Sequence, residues 1–461
     1  MIVFLNTSLF SQNVGIGTTS FTPNTSAGLD INFSDKGLLI PRVALTSIIS
    51  NTPIGNNVAT GLMVFNTDTS GTFPNEVMPG FYYWNGVKWV NLGNNWHRAG
   101  NSGTNPGTDF IGTTDSNNLV FKVNNQMAGL IDQTSGNNTF FGFLAGSSIN
   151  SNAQSNAFFG FQSGMETGSG VSNTAYGSLS LYSNDSGNYN NAIGNYALYY
   201  NQGSENVANG YAALYLNTSG NQNIATGAYS MNNNSSGNDN IAVGYEAAAS
   251  NSSGNFNTAI GNFSLISNQT GSHNVAVGNN ALYHYLFNGN TAIGDSALAM
   301  NTDDGSGRDA YNTAVGFQAL TSTTNGINNT GNGYQVLFLN TMGNSNTAHG
   351  EQALYSNTTG NNNVGIGANA GNNNTTGSGN IFIGYQAGYN ETGSDKLYIS
   401  NSNTSSPLIG GDFSAGMVTV NSILKLPPTT TPSNPVAGMI YFDDSIHKLK
   451  CFDGTTWQNL W

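Results

Sequence analysis

Over more than half of its length the chain alternates short apolar runs with polar turns, at a nearly constant interval. The repeated unit is Asn-x-x-x-Gly, which occurs fifteen times between residues 138 and 395. Ten of the fourteen intervals between successive glycines are 17 residues, and the others are 18, 16, 16 and 22. These corner glycines are Gly142, Gly160, Gly177, Gly194, Gly210, Gly227, Gly244, Gly261, Gly278, Gly294, Gly316, Gly333, Gly350, Gly367 and Gly384. A strict short period predicts a solenoid, in which each repeat buries its apolar face by stacking on its neighbours.

Within one repeat, the residues before the corner glycine alternate as in a β-strand. The residue three before the glycine is Thr, Val or Ile in 13 of 15 repeats, and the residue two before it is Ala or Gly in 12. This period of two indicates a strand, which the glycine ends because it tolerates positive φ. A second apolar segment follows, such as Ala297-Leu298, and then an Asn-x-x-Gly turn such as Asn357 to Gly360. We therefore predict an all-β parallel solenoid with two short strands per coil and a length on the order of 70 Å.

An asparagine lies four residues before every corner glycine. These leading asparagines are Asn138, Asn156, Asn173, Asn190, Asn206, Asn223, Asn240, Asn257, Asn274, Asn290, Asn312, Asn329, Asn346, Asn363 and Asn380. Because the phase is never broken, we expect an internal ladder, in which each amide bonds to the next amide or to a turn. The alternative is that asparagine is simply a favourable turn residue. The asparagines of the Asn-x-x-Gly turns recur less regularly, and we expect them to be solvated.

The composition argues against a nucleic-acid partner, an internal disulfide and a transmembrane helix. Only 7% of the residues are charged, against a usual quarter. The repeat region contains twelve acidic residues and one basic residue, Arg308. Such a surface repels phosphate backbones, so we expect no nucleic-acid partner. The sequence has one cysteine, Cys451, and no apolar run of 18 residues, which predicts neither an internal disulfide nor a transmembrane helix.

The chain is predicted to comprise six segments. Residues 1–11 resemble the hydrophobic end of a secretory signal that lacks its basic beginning, with a short first strand as the alternative. An N-terminal β module (12–93), a transition segment (94–137), the repeat rod (138–395), a second transition segment (396–424) and a C-terminal β module (425–461) follow.

The two end modules resemble each other outside the 17-residue period. Residues 81–92 align without a gap on residues 449–460, and a matching strand lies upstream of each. Each segment carries a hairpin signal, Asn85-Gly86 in the first and Asp453-Gly454 in the second. Solenoids need atypical terminal units to cover their open edges, so we expect these modules to cap the rod.

The sequence lacks the spacings typical of catalysis and metal binding. Its five histidines are scattered, and no helix is predicted after glycine-rich patches such as Gly365-Ile366-Gly367. A polysaccharide lyase would need clustered charged residues, whereas the rod has one arginine. We expect no enzymatic activity, no cofactor and no metal. The insertion that holds Asp303, Asp304 and Asp309 is the calcium candidate, but it matches no known calcium loop and a solvated insertion is favoured.

The aromatic residues of the end modules are the candidate ligand-binding residues. They are Tyr82, Tyr83, Trp84, Trp89 and Trp457, which could stack on sugars, although alternation along a strand turns about half of such residues toward the core. Nine of the ten lysines and arginines also lie outside the rod. Recognition usually rests on a few aromatic and arginine anchors. We therefore expect the end modules to bind or assemble, and the rod, with its bland and weakly charged surface, to act as a spacer.

The repeats resemble a known group of fibrous proteins. Asn290-Thr-Ala-Ile-Gly-Asp-Ser-Ala-Leu298 resembles the head repeats of trimeric autotransporter adhesins, and more closely the repeats of Bacteroidetes adhesin-like proteins and phage tail fibres. Residues 13–19, 37–42 and 81–89 resemble the N-terminal segments of those secreted Bacteroidetes proteins. The resemblance implies a left-handed parallel β-roll, three copies side by side and an exposed fibrous role.

Three functional hypotheses follow. The first is a secreted or surface-exposed structural or adhesive fibre, a homotrimer that contacts a surface glycan or protein. The second is a receptor-binding tail fibre of a phage or a phage-like contractile injection particle. The third is a polysaccharide-active enzyme. In the first two, a thin roll of small side chains buries little by itself, so at least one flat face should be covered by another copy.

Overall fold

The structure is a computed structural model that describes residues 13–17, 19–72, 75–92, 110–133, 136–284, 287–300 and 309–460. All regular secondary structure in these residues is β, with 32 strands. The chain divides into two compact units, Met1–Gly112 and Thr113–Trp461. The prediction of an all-β solenoid is confirmed. Residues 1–11, interpreted from sequence as a signal remnant, lie outside the described residues.

The first unit contains two small sheets. Strands β1 (Val14–Gly17) and β2 (Leu29–Asn32) pair in parallel. The other sheet, which we call the N-terminal sheet, has the order β3 (Arg42–Val43), β4 (Met63–Asn66), β5 (Gly80–Trp84) and β6 (Trp89–Asn91). Strand β3 pairs with β4 in parallel, and the other two pairs are antiparallel. One face of this sheet is buried under the segment between β3 and β4, and together they form a separate core.

The second unit begins with β7 (Leu119–Val123) and β8 (Gln126–Ile131), which lead antiparallel into the rod. The strands that follow are β9 (Thr139–Phe141), β10 (Ala157–Phe159), β11 (Thr174–Tyr176), β12 (Asn191–Ile193), β13 (Tyr200–Asn201), β14 (Val207–Asn209), β15 (Leu216–Asn217), β16 (Ile224–Thr226), β17 (Ile241–Val243), β18 (Thr258–Ile260), β19 (Val275–Val277), β20 (Thr291–Ile293), β21 (Thr313–Val315), β22 (Thr330–Asn332), β23 (Thr347–His349), β24 (Val364–Ile366) and β25 (Ile381–Ile383). All except β13 and β15 end one residue before a corner glycine, and these fifteen are the rod strands.

Each rod strand pairs in parallel and in register with the next. Ala242 lies opposite Ala259, for example, and Ala259 lies opposite Ala276. The 22-residue interval leaves the register unbroken, since Thr291 pairs with Thr313. Every Asn-x-x-x-Gly motif therefore contributes one coil to a continuous ladder.

The core of the rod is narrow. The middle residue of a rod strand points inward, and the fourth residue after the corner glycine meets it from the other side. In the coil of Gly261 these residues are Ala259 and Leu265, both fully buried. Small side chains on one side and leucine on the other leave little space for anything larger.

The segment after the corner glycine is not the regular second strand that the sequence predicted. The second and fourth residues after every corner glycine have positive φ, as at Phe263 (57°) and Leu265 (53°). The Phe263 N–H donates to the Tyr245 carbonyl one coil back, and the Leu265 N–H donates to the Ala281 carbonyl one coil ahead, both at 2.9 Å. Alternate left-handed residues thus satisfy both neighbouring coils without extended backbone. Strand pairing in this segment is confined, within the described residues, to β13 with β15 and to isolated bridges.

The ladder continues beyond the rod and is followed by a separate sheet. Strand β26 (Lys396–Ile399) pairs in parallel with β25, and β27 (Ile409–Asp412) and β28 (Met417–Val420) follow antiparallel. The remaining strands, β29 (Pro428–Thr429), β30 (Ile440–Asp443), β31 (Lys448–Phe452) and β32 (Trp457–Asn459), form what we call the C-terminal sheet.

Candidate assembly and binding surfaces

The leading asparagines form a buried ladder that joins successive coils. None is more than 3% exposed. The side-chain carbonyl of Asn240 accepts a hydrogen bond of 2.9 Å from the backbone N–H of Asn257. The Nδ2 atom of Asn257 donates to the carbonyl of Gly271, in the next turn, at 2.8 Å. Each amide therefore satisfies two backbone groups that the coil leaves without an intracoil partner.

The asparagines of the Asn-x-x-Gly turns form a second buried ladder, so the expectation that they are solvated is wrong. The Nδ2 atom of Asn217 donates to Oδ1 of Asn201 at 2.7 Å and to the Gly220 carbonyl at 2.8 Å. The turn points this side chain inward because the amide can then bind both its own turn and the preceding coil. We call this set, together with Asn201 of the shorter Asn201-Gln202-Gly203 turn, the turn asparagines. All are 1% exposed or less: Asn184, Asn201, Asn217, Asn234, Asn251, Asn268, Asn340, Asn357 and Asn374.

A third ladder is formed by the residues that precede the leading asparagines by two positions. The side-chain oxygens of Asn238, Asn255 and Ser272 each accept the backbone N–H of the equivalent residue one coil earlier, at 2.8 to 3.0 Å. These side chains are half-buried. The rod is therefore cross-linked by polar side chains along its whole length, and they hold the coils in register.

Of the candidate calcium ligands, Asp309 lies within the described residues. Asp303 and Asp304 lie outside the described residues. Asp309 accepts hydrogen bonds from the Tyr311 hydroxyl at 2.7 Å and from Asn288 Nδ2 at 2.8 Å. These bonds lower the pKa of the Asp309 carboxyl. Within the described residues, no three His, Cys, Asp or Glu side chains are grouped to hold a metal ion.

The candidate ligand-binding aromatics divide between core and surface. Tyr82, Trp84 and Trp89 are at most 6% exposed, and the indole N–H of Trp89 donates to a backbone carbonyl at 3.0 Å. Their ring faces are closed to a ligand, which corrects the sequence-based set. Tyr83 in the first unit and Trp457 in the second are half-buried, and Trp457 packs edge-on against Tyr441 at 4.6 Å.

The other face of the N-terminal sheet is apolar and, within the described residues, partly exposed. It carries Met63, Phe65, Phe81 and Tyr83, and Met63 and Phe81 are 42% and 48% exposed. Phe65 and Phe81 meet edge to face at 5.0 Å. With Leu38, Leu39, Ile40 and Arg42 they line an open concavity of about 270 Å³. We call the side chains of Met63, Phe65, Phe81 and Tyr83 the open face.

The rod carries two exposed apolar surfaces, and the first is formed by the outward side chains of the rod strands. This aliphatic face includes side chains that are 37% to 42% exposed: Ile193, Val207, Ile224, Ile241, Val243, Ile260, Ile293, Ile366 and Ile383. It repeats from coil to coil along the rod. This repetition follows from the in-register parallel pairing of the strands.

The second surface is a strip of aromatic rings on the segment after the corner glycine. We call it the tyrosine strip, and its members are Tyr182, Tyr196, Tyr199, Tyr200, Tyr211, Tyr215, Tyr229, Tyr245, Phe263 and Tyr283. Successive rings lie 4.5 to 6.4 Å apart. Four tyrosines, Tyr200, Tyr211, Tyr229 and Tyr245, are 37% to 46% exposed.

The strip combines ring faces with hydrogen-bonding groups. Tyr196, Tyr211, Tyr215 and Tyr229 line an open concavity of about 360 Å³ together with Asn232. Burial raises the pKa of Tyr215, and the neighbouring Tyr229 phenol raises the pKa of Tyr211. A tyrosine hydroxyl is a donor at neutral pH already at its usual pKa of about 10, and these shifts act in the same direction. The sequence analysis missed this surface, although tyrosines recur at the first, second and fifth positions after the corner glycines of these coils.

The described residues contain no helix long and apolar enough to cross a membrane.

Comparison with known proteins gives one match. The model of a family described as a phage tail like trimerisation region matches residues 15–108, about a fifth of the chain. No curated protein and no solved structure matches. The matched residues include both sheets of the first unit, and they give the chain a phage tail-fibre-like character that fits the predicted trimer.

Proposed function

We propose that this protein is a homotrimeric fibre of the phage tail-fibre type, exposed on an extracellular particle or a surface. The observation that carries the proposal is a trimerisation-type region at residues 15–108 in the same chain as a fifteen-coil solenoid. A trimerisation region gathers three chains, and a solenoid provides a stiff shaft. In this proposal the fibre has a structural role and binds a ligand, and it does not catalyse a reaction.

Three rods associate through the aliphatic face. A coil whose own core is little more than Ala259 and Leu265 gains apolar burial when this face is covered. Covering a side chain such as Ile260, which is 40% exposed, contributes about 1 kcal/mol. Repeated from coil to coil, this contribution favours the association of the rods.

Light scattering tests the oligomeric state. A single chain is 48.3 kDa, and we expect the mass of three chains at micromolar concentration. Because the region of residues 15–108 still gathers the chains, Ile260→Asp combined with Ile293→Asp should lower the melting temperature of the trimer and leave its mass unchanged. Tyr189→Asp, at an exposed coil edge (63% exposed), is the control and should leave the melting temperature unchanged. A monomeric wild-type chain would refute the proposal.

The fibre recognises a glycan, and the tyrosine strip is its contact surface. Half-exposed tyrosine rings offer flat apolar faces for the C–H faces of sugars, and their hydroxyls and Asn232 offer directional hydrogen bonds. Between residues 138 and 395 the sequence has no lysine and no arginine other than Arg308. This charge pattern favours a neutral glycan over an anionic one. The strip occupies only part of the rod, as expected of a local site rather than of an interface along the whole shaft.

The sequence-based hypothesis instead places binding in the end modules and makes the rod a spacer. Two deletions of three coils each separate the two possibilities. Removal of residues 223–273 takes Tyr229, Tyr245 and Phe263 out of the strip, and removal of residues 329–379 spares the strip. Each deletion is 51 residues and preserves the 17-residue phase. On a glycan array, loss of binding after the first deletion alone supports the strip, and survival of binding after both supports the end modules.

A cell-surface adhesive fibre of the Bacteroidetes type is the alternative to a particle fibre. Co-purification with sheath, tube and baseplate proteins, or their presence as neighbouring genes, would support the particle. A screen against polysaccharides tests the non-catalytic role, since release of reducing ends would indicate an enzyme.

A further inference from the structure

We infer that the C-terminal sheet is a second self-association module, through which three copies of the chain meet at the end of the rod farther along the sequence. The inference rests on the proposed homotrimer. Its occupant is the same sheet of the two other copies. The argument comes from the correspondence between the C-terminal sheet and the N-terminal sheet, which lies in the region similar to a trimerisation family.

The two sheets have the same topology and register. In both, the first pair of strands is parallel and the next two pairs are antiparallel. Phe65 lies opposite Phe81 in the first sheet, and Phe442 lies opposite Leu449 in the second. Phe81 and Leu449 are equivalent in the gap-free alignment of residues 81–92 with 449–460, and Phe65 and Phe442 are the residues that pair with them.

Backbone hydrogen bonds at the sheet edges also correspond. The N–H of Gly61 donates to the Trp84 carbonyl at 2.7 Å, and the N–H of Gly438 donates to the Phe452 carbonyl at the same distance. In the hairpins, the side-chain oxygen of Asn85 accepts the Lys88 N–H at 2.8 Å, just as Asp453 accepts the N–H of Thr456 at 2.7 Å. The C-terminal sheet is therefore a structural copy of the N-terminal sheet.

The same face is apolar and, within the described residues, partly exposed in both sheets. Met63 and Ile440 are equivalent and are 42% and 51% exposed. Leu38 and Leu424 stand at equivalent distances before the first strand and are 63% and 67% exposed. Phe442, Leu449 and Cys451 complete the open face of the C-terminal sheet, at the positions of Phe65, Phe81 and Tyr83.

The opposite faces of the two sheets differ, which shows that the open face is not a by-product of one shared core. Val64, Tyr82 and Trp89 form an apolar core in the first sheet. In the second sheet, Asp443 accepts hydrogen bonds from the Tyr441 hydroxyl at 2.7 Å and forms an ion pair with Lys450 at 2.9 Å. The covered face of the second sheet thus combines an ion pair with the Tyr441–Trp457 contact, whereas the open face is apolar in both sheets.

A second copy is the occupant that the periodicity of the rod favours. Because the coils repeat, one rod can slide past another by one coil and keep many of its lateral contacts. Non-repeating modules specify one register more strictly than the repeats do. Self-associating modules that precede and follow the repeats in the sequence would constrain the register of the three rods from both directions along the chain.

Cys451, the only cysteine of the chain, provides a test on the open face. The intact trimer is treated with a monofunctional maleimide and, separately, oxidised to form disulfides. If three C-terminal sheets meet, Cys451 is either protected from the maleimide or joins two chains in a disulfide whose yield is unaffected by dilution. Ile440→Lys should abolish this behaviour without changing the trimeric mass, because the N-terminal sheet still gathers the chains.

The matched control moves the thiol to the hairpin tip, in Cys451→Ser with Thr455→Cys. Thr455 is exposed, and its replacement should react freely and form few disulfides. Free reaction and no cross-linking of Cys451 in a protein of trimeric mass would overturn the inference and leave the proposed function intact. A monomeric mass would instead refute the homotrimer itself.

Discussion

The Nδ2 atom of Asn268 lies 3.0 Å from Oδ1 of Asn251, 17 residues earlier in the chain, and donates a hydrogen bond to it. The same nitrogen donates to the carbonyl of Gly271 at 2.9 Å. Because Asn268 is fully buried, its amide lies in the interior of the rod, between two coils. A turn residue thus performs the same kind of bridging as a leading asparagine.

We therefore predict that Asn268→Ala and Asn257→Ala destabilise the rod by similar amounts, about 1–3 kcal/mol each, because each leaves buried polar groups unpaired. Asn233→Ala is the control at an exposed turn position and should change stability by about 0.5 kcal/mol or less. Denaturant unfolding of the three variants gives the comparison. A loss for Asn268→Ala no greater than for Asn233→Ala would show that the second ladder adds no stability.

The left-handed residues of each coil predict an unusual response to substitution. Gln386 has a φ of 53°, a conformation that asparagine tolerates better than glutamine and that β-branched residues tolerate poorly. Gln386→Asn should stabilise by a few tenths of a kcal/mol, and Gln386→Val should destabilise by about 1 kcal/mol or more. The same substitutions at Gln269, an exposed turn residue with negative φ, should have little effect. Equal effects at both positions would contradict the backbone explanation.

The sequence was sufficient to predict the coils because a single strict period specifies both strand phase and stacking. The alternation before Gly261 places Ala259 inside, and its stacking on Ala276 follows from the constant 17-residue interval. By contrast, the segment of Phe263 and Leu265 also alternates, but its backbone is left-handed at both residues. Side-chain periodicity reports which residues face the core and does not report the sign of φ.

The binding surfaces were harder to predict, for a related reason. About half of the aromatic residues in a hairpin point to the core, and the sequence pattern does not indicate which half. Trp89 and Tyr83 were therefore equally good candidates for ligand binding. In the rod, exposure follows from column position. Tyr211 and Tyr229 lie at different positions of their repeats, one and two residues after their corner glycines, so the repeat pattern does not predict that their rings lie 5.2 Å apart.

We expect the free energy of unfolding to fall at alkaline pH because of the tyrosine strip. Burial between neighbouring rings raises the pKa of Tyr199 to about 12, above the value of about 10 for an unfolded chain. The neutral phenol is therefore favoured in the folded state, and its contribution is complete below pH 10 and lost as the pH rises toward 12. Burial also raises the pKa of Tyr398 to about 12, so phenolate absorbance should show late-titrating tyrosines, and Tyr199→Phe should reduce their number by one. A titration complete near pH 10 in the folded wild type would contradict the burial of Tyr199.

The packing of the first coils predicts a compensating pair of substitutions. Phe158 occupies a core position that is alanine in most coils, and its ring stacks on Phe140 at 5.0 Å. The residue that faces it is Gly164, where most coils have leucine, and a Cβ on Gly164 would overlap the Phe158 ring. Phe158→Ala alone should cost about 3–5 kcal/mol through the cavity it leaves, and Gly164→Leu alone about 1–3 kcal/mol through overpacking.

The double variant recreates the pairing of Ala259 with Leu265, so we expect it to regain most of the stability that either single change loses. Because the φ of Gly164 (57°) is close to that of Leu265 (53°), the backbone already suits leucine. Chemical denaturation of the wild type, both single variants and the double variant gives the coupling energy between the two sites. If the losses of stability in the two single variants simply add in the double variant, the two side chains do not fill one shared volume. The pairing of phenylalanine with glycine in these coils would then have another cause.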